Sequence, residues 1–565
     1  MLGQDGANAA IYYDLDAYDT SRPRLMGRHA AGEGFLKGFG AHAKVDRVYC
    51  YTQSREACND FARRVARLAG RERPCTWIPF TELAALAKPG CLFMPGPTID
   101  RLAWQRRHVG GHAYSLCGIT HTIASHRLMD TIGALLMAPV QPWDAVICTS
   151  QVVRATVERV LVQWGEYIEE RFGGAARSPV QLSVIPLGID CDAFAPATPV
   201  AEAARVALRR EPSIGDDDVV VLFVGRLSFH AKAHPVPMYL ALEEATRRGG
   251  KPIHLIQAGW FANDSIEREF KEAAQAFCPS VRALFLDGRR PEIRAGIWFA
   301  ADVFTSLSDN IQETFGLAPI EAMAAGLPVV VSDWDGYRDT VRHGVDGFAV
   351  RTLMPPPGLG TDLALRHDLK IDSYDFYIGA ASQCVSIDVA EAADAYTRLA
   401  SDPEMRGVMG AAGRRRAQEL FDWRVVMAAY QELWRELAER RRDADETVPR
   451  RPPAPADPLR DDPFTLFAGY PTGVIRLDAV VSLAPDINTG ARLADLRRLR
   501  MNEYAAGLLA AGEDREAALR HLAEQGPCAV EDLLVLFPGD RARLMHRTLG
   551  WLAKYGLVRI AAKAP

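Results

Sequence analysis

Glu313 and Glu321 stand eight residues apart in ETFGLAPIEAMAAGLPVVVSD, a little over two helical turns. A strand ends in a polar turn before them, and the pattern predicts a helix opening near Thr314 with Gly316 in its first turn. The two glutamates would then lie near one stripe, one at the helix mouth and one within the helix. A carboxylate at the mouth can accept hydrogen bonds from sugar hydroxyls, while the free N–H groups of Phe315, Gly316 and Leu317 face an anion. The second carboxylate can accept from the two hydroxyls of a ribose. On spacing alone, a helix cap and a solvated charge explain the pair as well. Upstream, Val219–Lys232 reads VVVLFVGRLSFHAK: a strand, a glycine turn, then Arg226 and Lys232. Two cations at the carboxyl end of a strand suit a diphosphate, which carries about two charges and needs several donors.

These residues need a scaffold that aims strand ends at one place. Short apolar runs at Val45–Tyr51, Cys91–Met94, Ala145–Thr149 and Leu182–Ile185 alternate with helix-period stretches such as Gln151–Trp164. Runs that are apolar on both faces and separated by helices imply a parallel sheet covered on both sides, here one α/β domain over 1–195. The alternation restarts at Val219–Val224 and continues through His254–Gln257, Ala283–Leu286, Val303–Ser306 and Val329–Ser332. This is a second α/β domain, 196–441. Residues 351–381 read as a Pro/Gly-rich insertion loop within it, and Phe421–Arg441 as its closing helix. A proline-rich, charged linker follows at 442–462. Residues 463–565 form a small accessory domain that looks like a winged helix, with helices at Glu531–Phe537 and Asp540–Tyr555 joined by Pro-Gly and a strand at Leu557–Ile560. Two α/β domains side by side create a cleft, the usual place for a small-molecule site.

Composition narrows the partners. At 565 residues the chain exceeds one core, and its net charge of −5 argues against an overall commitment to nucleic acid. Ten scattered cysteines without a CxxC suggest neither a disulfide framework nor a zinc site, so a reducing cytosol is expected. Residues 1–10 show no leader, and no run approaches the ~18–20 apolar residues of a membrane span. Arg101–His108 (RLAWQRRH) would suit anionic headgroups at the inner face of a membrane, or else form a solvated helix face. In the accessory domain Arg541, Arg543 and Arg547 could face phosphates. Acidic residues nearly balance basic ones there, which favours a protein partner over nucleic acid.

The E-x7-E pattern, the intervening Phe-Gly-Leu and the A-x-G-x-P-V-V-x-S tail resemble the signature of retaining GT-B glycosyltransferases of the family 4, group 1 type. Val184–Phe194 (VIPLGIDCDAF) resembles the family's interdomain crossing, and Phe421-Asp422-Trp423 its returning helix. The resemblance covers roughly 10–440. It implies two Rossmann-like domains facing a cleft and a UDP- or GDP-sugar donor, with Glu313 on the hexose, Glu321 on the ribose, and Arg226 and Lys232 on the diphosphate. One extra residue separates Arg226 from Lys232, and KAHP stands where relatives have Lys-Gly. Asp287–Arg290 falls where relatives hold the base, so Arg290 could stack on it or close a plain turn. Gly32 and Gly34, in GRHAAGEGF, resemble the glycine loop that meets the donor phosphate or acceptor; an ordinary turn explains them equally. His121 falls where relatives place a cleft histidine, with His126 as a competitor.

The family retains anomeric configuration, commonly by front-face attack within an ion-pair-like transition state. No carboxylate stands out as a nucleophile. No DxD-like metal motif is convincingly placed, and two cations make a divalent ion unnecessary, so metal independence is expected. The acceptor, whether saccharide, lipid or protein, is open; envelope polysaccharide or glycoconjugate synthesis is the family-level expectation. Sugar phosphorylases and nucleotide-sugar epimerases share the fold and are the enzymatic alternatives. A regulatory or binding protein acting through 463–565 is the non-enzymatic one.

Overall fold

The computed structural model describes residues 7–20, 27–195, 199–210, 214–215, 217–249 and 251–561. Residues 1–6, read above for a leader, lie outside that set, as do 196–198 at the junction drawn after Ala195 and 562–565 at the end of the accessory segment. The first domain is a seven-stranded parallel sheet of β1 (Ala10–Tyr12), β2 (Val48–Thr52), β3 (Cys75–Pro79), β4 (Cys91–Phe93), β5 (Ser115–Ile119), β6 (Ala145–Cys148) and β7 (Gln181–Val184). Their order is β3-β2-β1-β4-β5-β6-β7. The second domain is a six-stranded parallel sheet of β8 (Val219–Val224), β9 (Ile253–Gly259), β10 (Arg282–Asp287), β11 (Val303–Ser306), β12 (Val329–Ser332) and β13 (Gly347–Val350), ordered β10-β9-β8-β11-β12-β13. In both sheets the strand order reverses beside the first strand, the point at which ligands bind in doubly wound folds. The fold is therefore two Rossmann-like α/β domains, the GT-B architecture.

Local sequence explains the main elements. Strands β11 and β12 are buried on both faces, which is why they read as unbroken apolar runs. The helix Gln151–Phe172 starts where Ser150 accepts from the Val153 N–H and stops at Gly173 in the left-handed conformation (φ 79°). It therefore extends two turns beyond the expected Gln151–Trp164.

The domains are joined at Ile189 and Phe421–Trp423, where Ile189 N–H donates to the Phe421 carbonyl (2.8 Å) and Trp423 N–H to the Ile189 carbonyl (3.0 Å). The helix Trp423–Asp443 then returns across the first domain. Its Trp423, Tyr430 and Trp434 join Phe35, Phe39 and Phe93 in one aromatic core. Glycine makes this docking feasible: a Cβ at Gly38 would stand 2.4 Å from the Trp423 ring, and one at Gly188 2.6 Å from it.

Three expectations need correction. The insertion is not a structureless loop. Thr352–Leu353 pairs antiparallel with Ser386–Ile387, and helices Thr361–Asp368 and Tyr374–Ser382 lie between them. The second helix has its own Ser373 cap and buries Ile378, while the first buries nothing, which explains the weak periodicity. Gly32 and Gly34 do not form a loop but lie within the helix Gly27–His42. Their small size serves packing: a Cβ on Gly32 would strike the Ala17 carbonyl at 2.1 Å, and one on Gly34 would touch Trp423. Residues 21–26, which precede this helix in sequence, lie outside the described residues. Finally, Arg101–His108 is not an open basic face. Arg106 is fully buried in a two-pronged ion pair with Asp144 (2.6 and 2.7 Å), and Arg107 donates to the Ala456 carbonyl. Among the described residues no helix is long and apolar enough to cross a membrane.

Residues 459–565 form a separate compact unit. Its sheet is antiparallel, with Val480–Leu483 between Cys528–Ala529 and Val558–Ala561. Helices Val530–Leu534 and Asp540–Lys554 pack on that sheet in a helix-turn-helix. Arg541 is already bound to the buried Asp514, and Arg543 pairs with Asp540. Two of the three arginines considered for phosphate contact are thus held by carboxylates within the unit.

Candidate active site

Two loops at the carboxyl ends of β8 and β11, the neighbours at the second sheet's reversal point, are laced together. Ser308 Oγ donates to the Lys232 carbonyl (3.1 Å), Asn310 Nδ2 to the His230 carbonyl (2.8 Å), and Gln312 Nε2 to the Ala231 carbonyl (2.9 Å). Arg226 donates to the same Ala231 carbonyl (2.8 Å). Lys232 runs over Gly225 and forms an ion pair with Glu313. The extra residue before Lys232 therefore does not prevent the lysine from reaching the site. Side chains of the 308–313 loop close polar groups of the 226–232 loop, so both cations keep fixed bases while their charged ends remain partly open.

Glu313 does not share a helical stripe with Glu321. The helix begins at Leu317, with Gly316 as its N-cap (φ 84°), so Glu313 lies in the turn before it. Gly316 is required twice over, by its left-handed backbone and by the Tyr337 ring, which a Cβ would meet at 2.1 Å. Phe315 is buried and contacts Phe421 edge-on, so its side chain belongs to the core. The N–H groups at the start of this helix have no intrahelical acceptor and face outward as anion donors.

Electrostatics separates the two glutamates. Burial pushes the Glu313 carboxyl up, but the Lys232 ammonium and the N–H groups of Thr314 and Phe315 bring it net below the usual range. Burial pulls the Lys232 ammonium down, but Glu313 more than reverses this, so the lysine is held charged. Among the described residues Glu321 has no such partner; burial raises its carboxyl to about 7, with Arg294 as the moderating charge. Burial lowers the Arg226 guanidinium, and Asp375, Tyr374 and Glu313 oppose that.

The first domain supplies the facing wall. Ser150 Oγ–H donates to the Thr314 carbonyl (3.0 Å) while the same oxygen caps its own helix, and Gln151 N–H donates to Asp339 (2.6 Å). His121 Nε2 lies 3.3 Å from the Pro95 carbonyl. A carbonyl only accepts, so Nε2 carries the proton and Nδ1 is left as an acceptor. Burial pulls the His121 imidazole down to about 4, with Arg28 and His29 contributing, so it is neutral at pH 7. His126 instead packs at a tilt against His367 of the insertion, with centroids 4.0 Å apart. Arg290 is exposed beside β10 and paired with Glu292 (2.5 Å), so its guanidinium is not drawn into the laced loops.

Several residues of the site were not singled out from sequence. Ser308, Asn310 and Gln312 adjoin the glutamate motif and form the lacing. Asp335 lies in an Asp-Gly turn after β12, a turn signal legible in the sequence. The insertion gave no signal, yet it reaches the cleft: Tyr374 OH lies 3.4 Å from Thr122 Oγ1, and Ile378 is buried against Ala124 and Ala231. Among the described residues no group of three or more His, Cys, Asp or Glu is placed to hold a metal ion.

Residues 205–353, which include every one of the β8 and β11 loop residues, match the family described as Glycosyl transferases group 1. The chain carries a group 1 glycosyltransferase domain. Curated relatives include a D-inositol 3-phosphate glycosyltransferase of Geodermatophilus obscurus, 29% identical over 300 residues, covering 51% of this chain and 63% of that protein. The enzyme of the same name from Rhodococcus erythropolis is 30% identical over 175 residues, covering 31% and 38%. The chain thus spans less than two thirds of the length of these relatives. Among solved structures, Anabaena HepE in complex with UDP is similar at 16% identity and a TM-score of 0.48, over 75% of this chain and 98% of that one. The matched residues lie within the second domain, where the sequence pattern is densest.

Proposed function

We propose that the chain transfers a sugar from a UDP- or GDP-sugar to a hydroxyl-bearing acceptor with retention of anomeric configuration. The observation that carries this reading is the joining of Arg226, Lys232 and Glu313 at the reversal point of a sheet inside a group 1 domain. In the reaction the anomeric C–O bond to the diphosphate breaks while the sugar becomes cationic. Arg226, Lys232 and the helix N–H groups at Gly316 and Leu317 stabilise the negative charge on the leaving diphosphate, an electrostatic role in a partly dry site. Glu313, fixed by Lys232, orients the hexose through its hydroxyls. Glu321 accepts from the ribose, and Arg290 lies at the loop that would meet the base. His121, neutral and with Nδ1 as an acceptor, faces the acceptor side. The setting is envelope polysaccharide or glycoconjugate synthesis, with a saccharide, lipid or protein acceptor, on the cytoplasmic side. The accessory unit serves a protein partner. No metal is needed in this scheme.

The test is turnover with a panel of UDP- and GDP-sugars, with and without inorganic phosphate, scored as nucleoside diphosphate released and product anomer by NMR. Glu313→Gln and Arg226→Ala are expected to lose at least 100-fold in turnover while keeping the melting temperature. Near-wild-type turnover in either variant removes the site assignment. Strict dependence on phosphate makes the protein a phosphorylase instead.

A further inference from the structure

The turn Trp334–Tyr337 is built against the glutamate turn from both sides. Trp334 Nε1–H donates to the Asn310 carbonyl (3.1 Å). On the other flank, a Cβ at Gly336 would lie 2.4 Å from Phe315 Cα and 2.6 Å from the Thr314 carbonyl. Tyr337 packs where Gly316 has no side chain, and its hydroxyl bonds Ser306 Oγ (2.8 Å). Asp335, between these anchors, is thereby held beside Glu313. Its backbone is in the left-handed region (φ 46°), where glycine would sit without strain and where a side chain is retained at a cost.

The charges around Asp335 come from three elements: Glu313 on the β11 loop, Asp339 on its own turn, and Lys232 on the β8 loop. Lys232 is already committed to Glu313, and among the described residues no cation pairs with Asp335. Burial, then Glu313, raise the Asp335 carboxyl to about 8, so it carries a proton at neutral pH. A protonated carboxyl offers one O–H donor and further acceptor sites, which suits neutral hydroxyls. A sugar carboxylate would add a third acidic group to the same partly buried space.

We propose that Asp335 is a specificity-determining residue of the donor site, contacting the hexose beside Glu313 and selecting neutral hexoses over uronates. This rests on the donor reading above. The experiment is calorimetric binding to the full chain and to Asp335→Gly, which removes the carboxyl and relaxes the backbone, so folding is retained or improved. The probes are UDP, the best-binding of UDP-glucose, UDP-galactose and UDP-N-acetylglucosamine, and UDP-glucuronate; if guanine is preferred, GDP, GDP-mannose and GDP-mannuronate take their place. Bare diphosphate is expected to bind both proteins within about twofold, because its contacts lie at Arg226, Lys232 and the helix start. The neutral sugar nucleotide is expected to bind Asp335→Gly about tenfold more weakly than the wild type. The wild type is expected to disfavour the uronate about tenfold, and the variant less than about threefold. Equal binding of the neutral sugar by both proteins, or no wild-type preference over the uronate, overturns the proposal. If no nucleoside diphosphate binds the wild type, the donor reading itself falls and takes this inference with it.

Discussion

Two ion pairs show how the two domains divide their tasks. In the first domain Arg106 and Asp144 meet just before β6, at the amino end of the sheet, with both side chains fully buried. Asp144 also accepts from the N–H groups of Leu116 and Gln141 (2.8 Å each), and Arg106 donates to the Tyr114 carbonyl. Both carboxylate oxygens and both terminal guanidinium nitrogens are used, and Arg106 Nε is buried without a partner among the described residues. In the second domain Lys232 and Glu313 meet at the carboxyl end of the sheet, with side chains 22% and 13% exposed. The ammonium has three donors and one such partner, so it retains capacity for a ligand. A two-pronged pair sealed from water fixes a fold; a single-pronged, partly open pair at a strand end is available for chemistry.

Substitutions can break this contrast. Lys232→Met should lower turnover on the order of 10³-fold while costing less than about 1.5 kcal/mol of stability, because water reaches the orphaned Glu313. Asp144→Ala should do the reverse, costing about 3–5 kcal/mol by leaving a buried guanidinium unpaired, with little change in donor affinity of the folded fraction. Urea denaturation alongside nucleotide titration measures both. If the two variants lose stability equally, the distinction is wrong.

Gly316→Ala ranks next. It demands a left-handed alanine and a shifted Tyr337 ring, and should cost about 2–3 kcal/mol and most of the donor affinity together. The pH response of Glu321 is smaller. Its carboxyl ionises only near pH 7 in the folded chain, against about 4.3 when unfolded. The ionised form accepts from two ribose hydroxyls, so nucleotide affinity should fall severalfold as pH drops from 8 to 6, and Glu321→Gln should flatten that profile. For folding the sign is opposite. Above the unfolded value the buried carboxylate progressively destabilises the chain, fully so above about pH 7. Glu321→Gln should therefore raise the melting temperature at pH 8 and leave it unchanged at pH 4, as scanning calorimetry can show.

The donor loops were legible because their chemistry is contiguous: glycine, cations and carboxylates fall within short runs next to apolar strands. The misreadings have physical causes. GEG looked like a loop because glycine serves close helix packing as readily as turns, and the positions of Ala17 and Trp423 decide between them. The helix start moved from Thr314 to Leu317 because Gly316 takes φ 84°, which no periodicity reveals. Arg106 looked solvated because its partner lies 38 residues away. The insertion helices carried no amphipathic signal, since the first has no buried residue and the second buries only a few.

The meeting of Ile189 with Phe421 and Trp423 has a mechanical corollary. The chain passes between the domains twice, and both passages are bonded to each other at one spot. Such an arrangement behaves like a single two-ply hinge, where a few backbone torsions redirect whole domains without disturbing either sheet. The Tyr374–Thr122 contact, contributed by the insertion, is one of several between the two leaves, with Ser150–Thr314 and Gln151–Asp339.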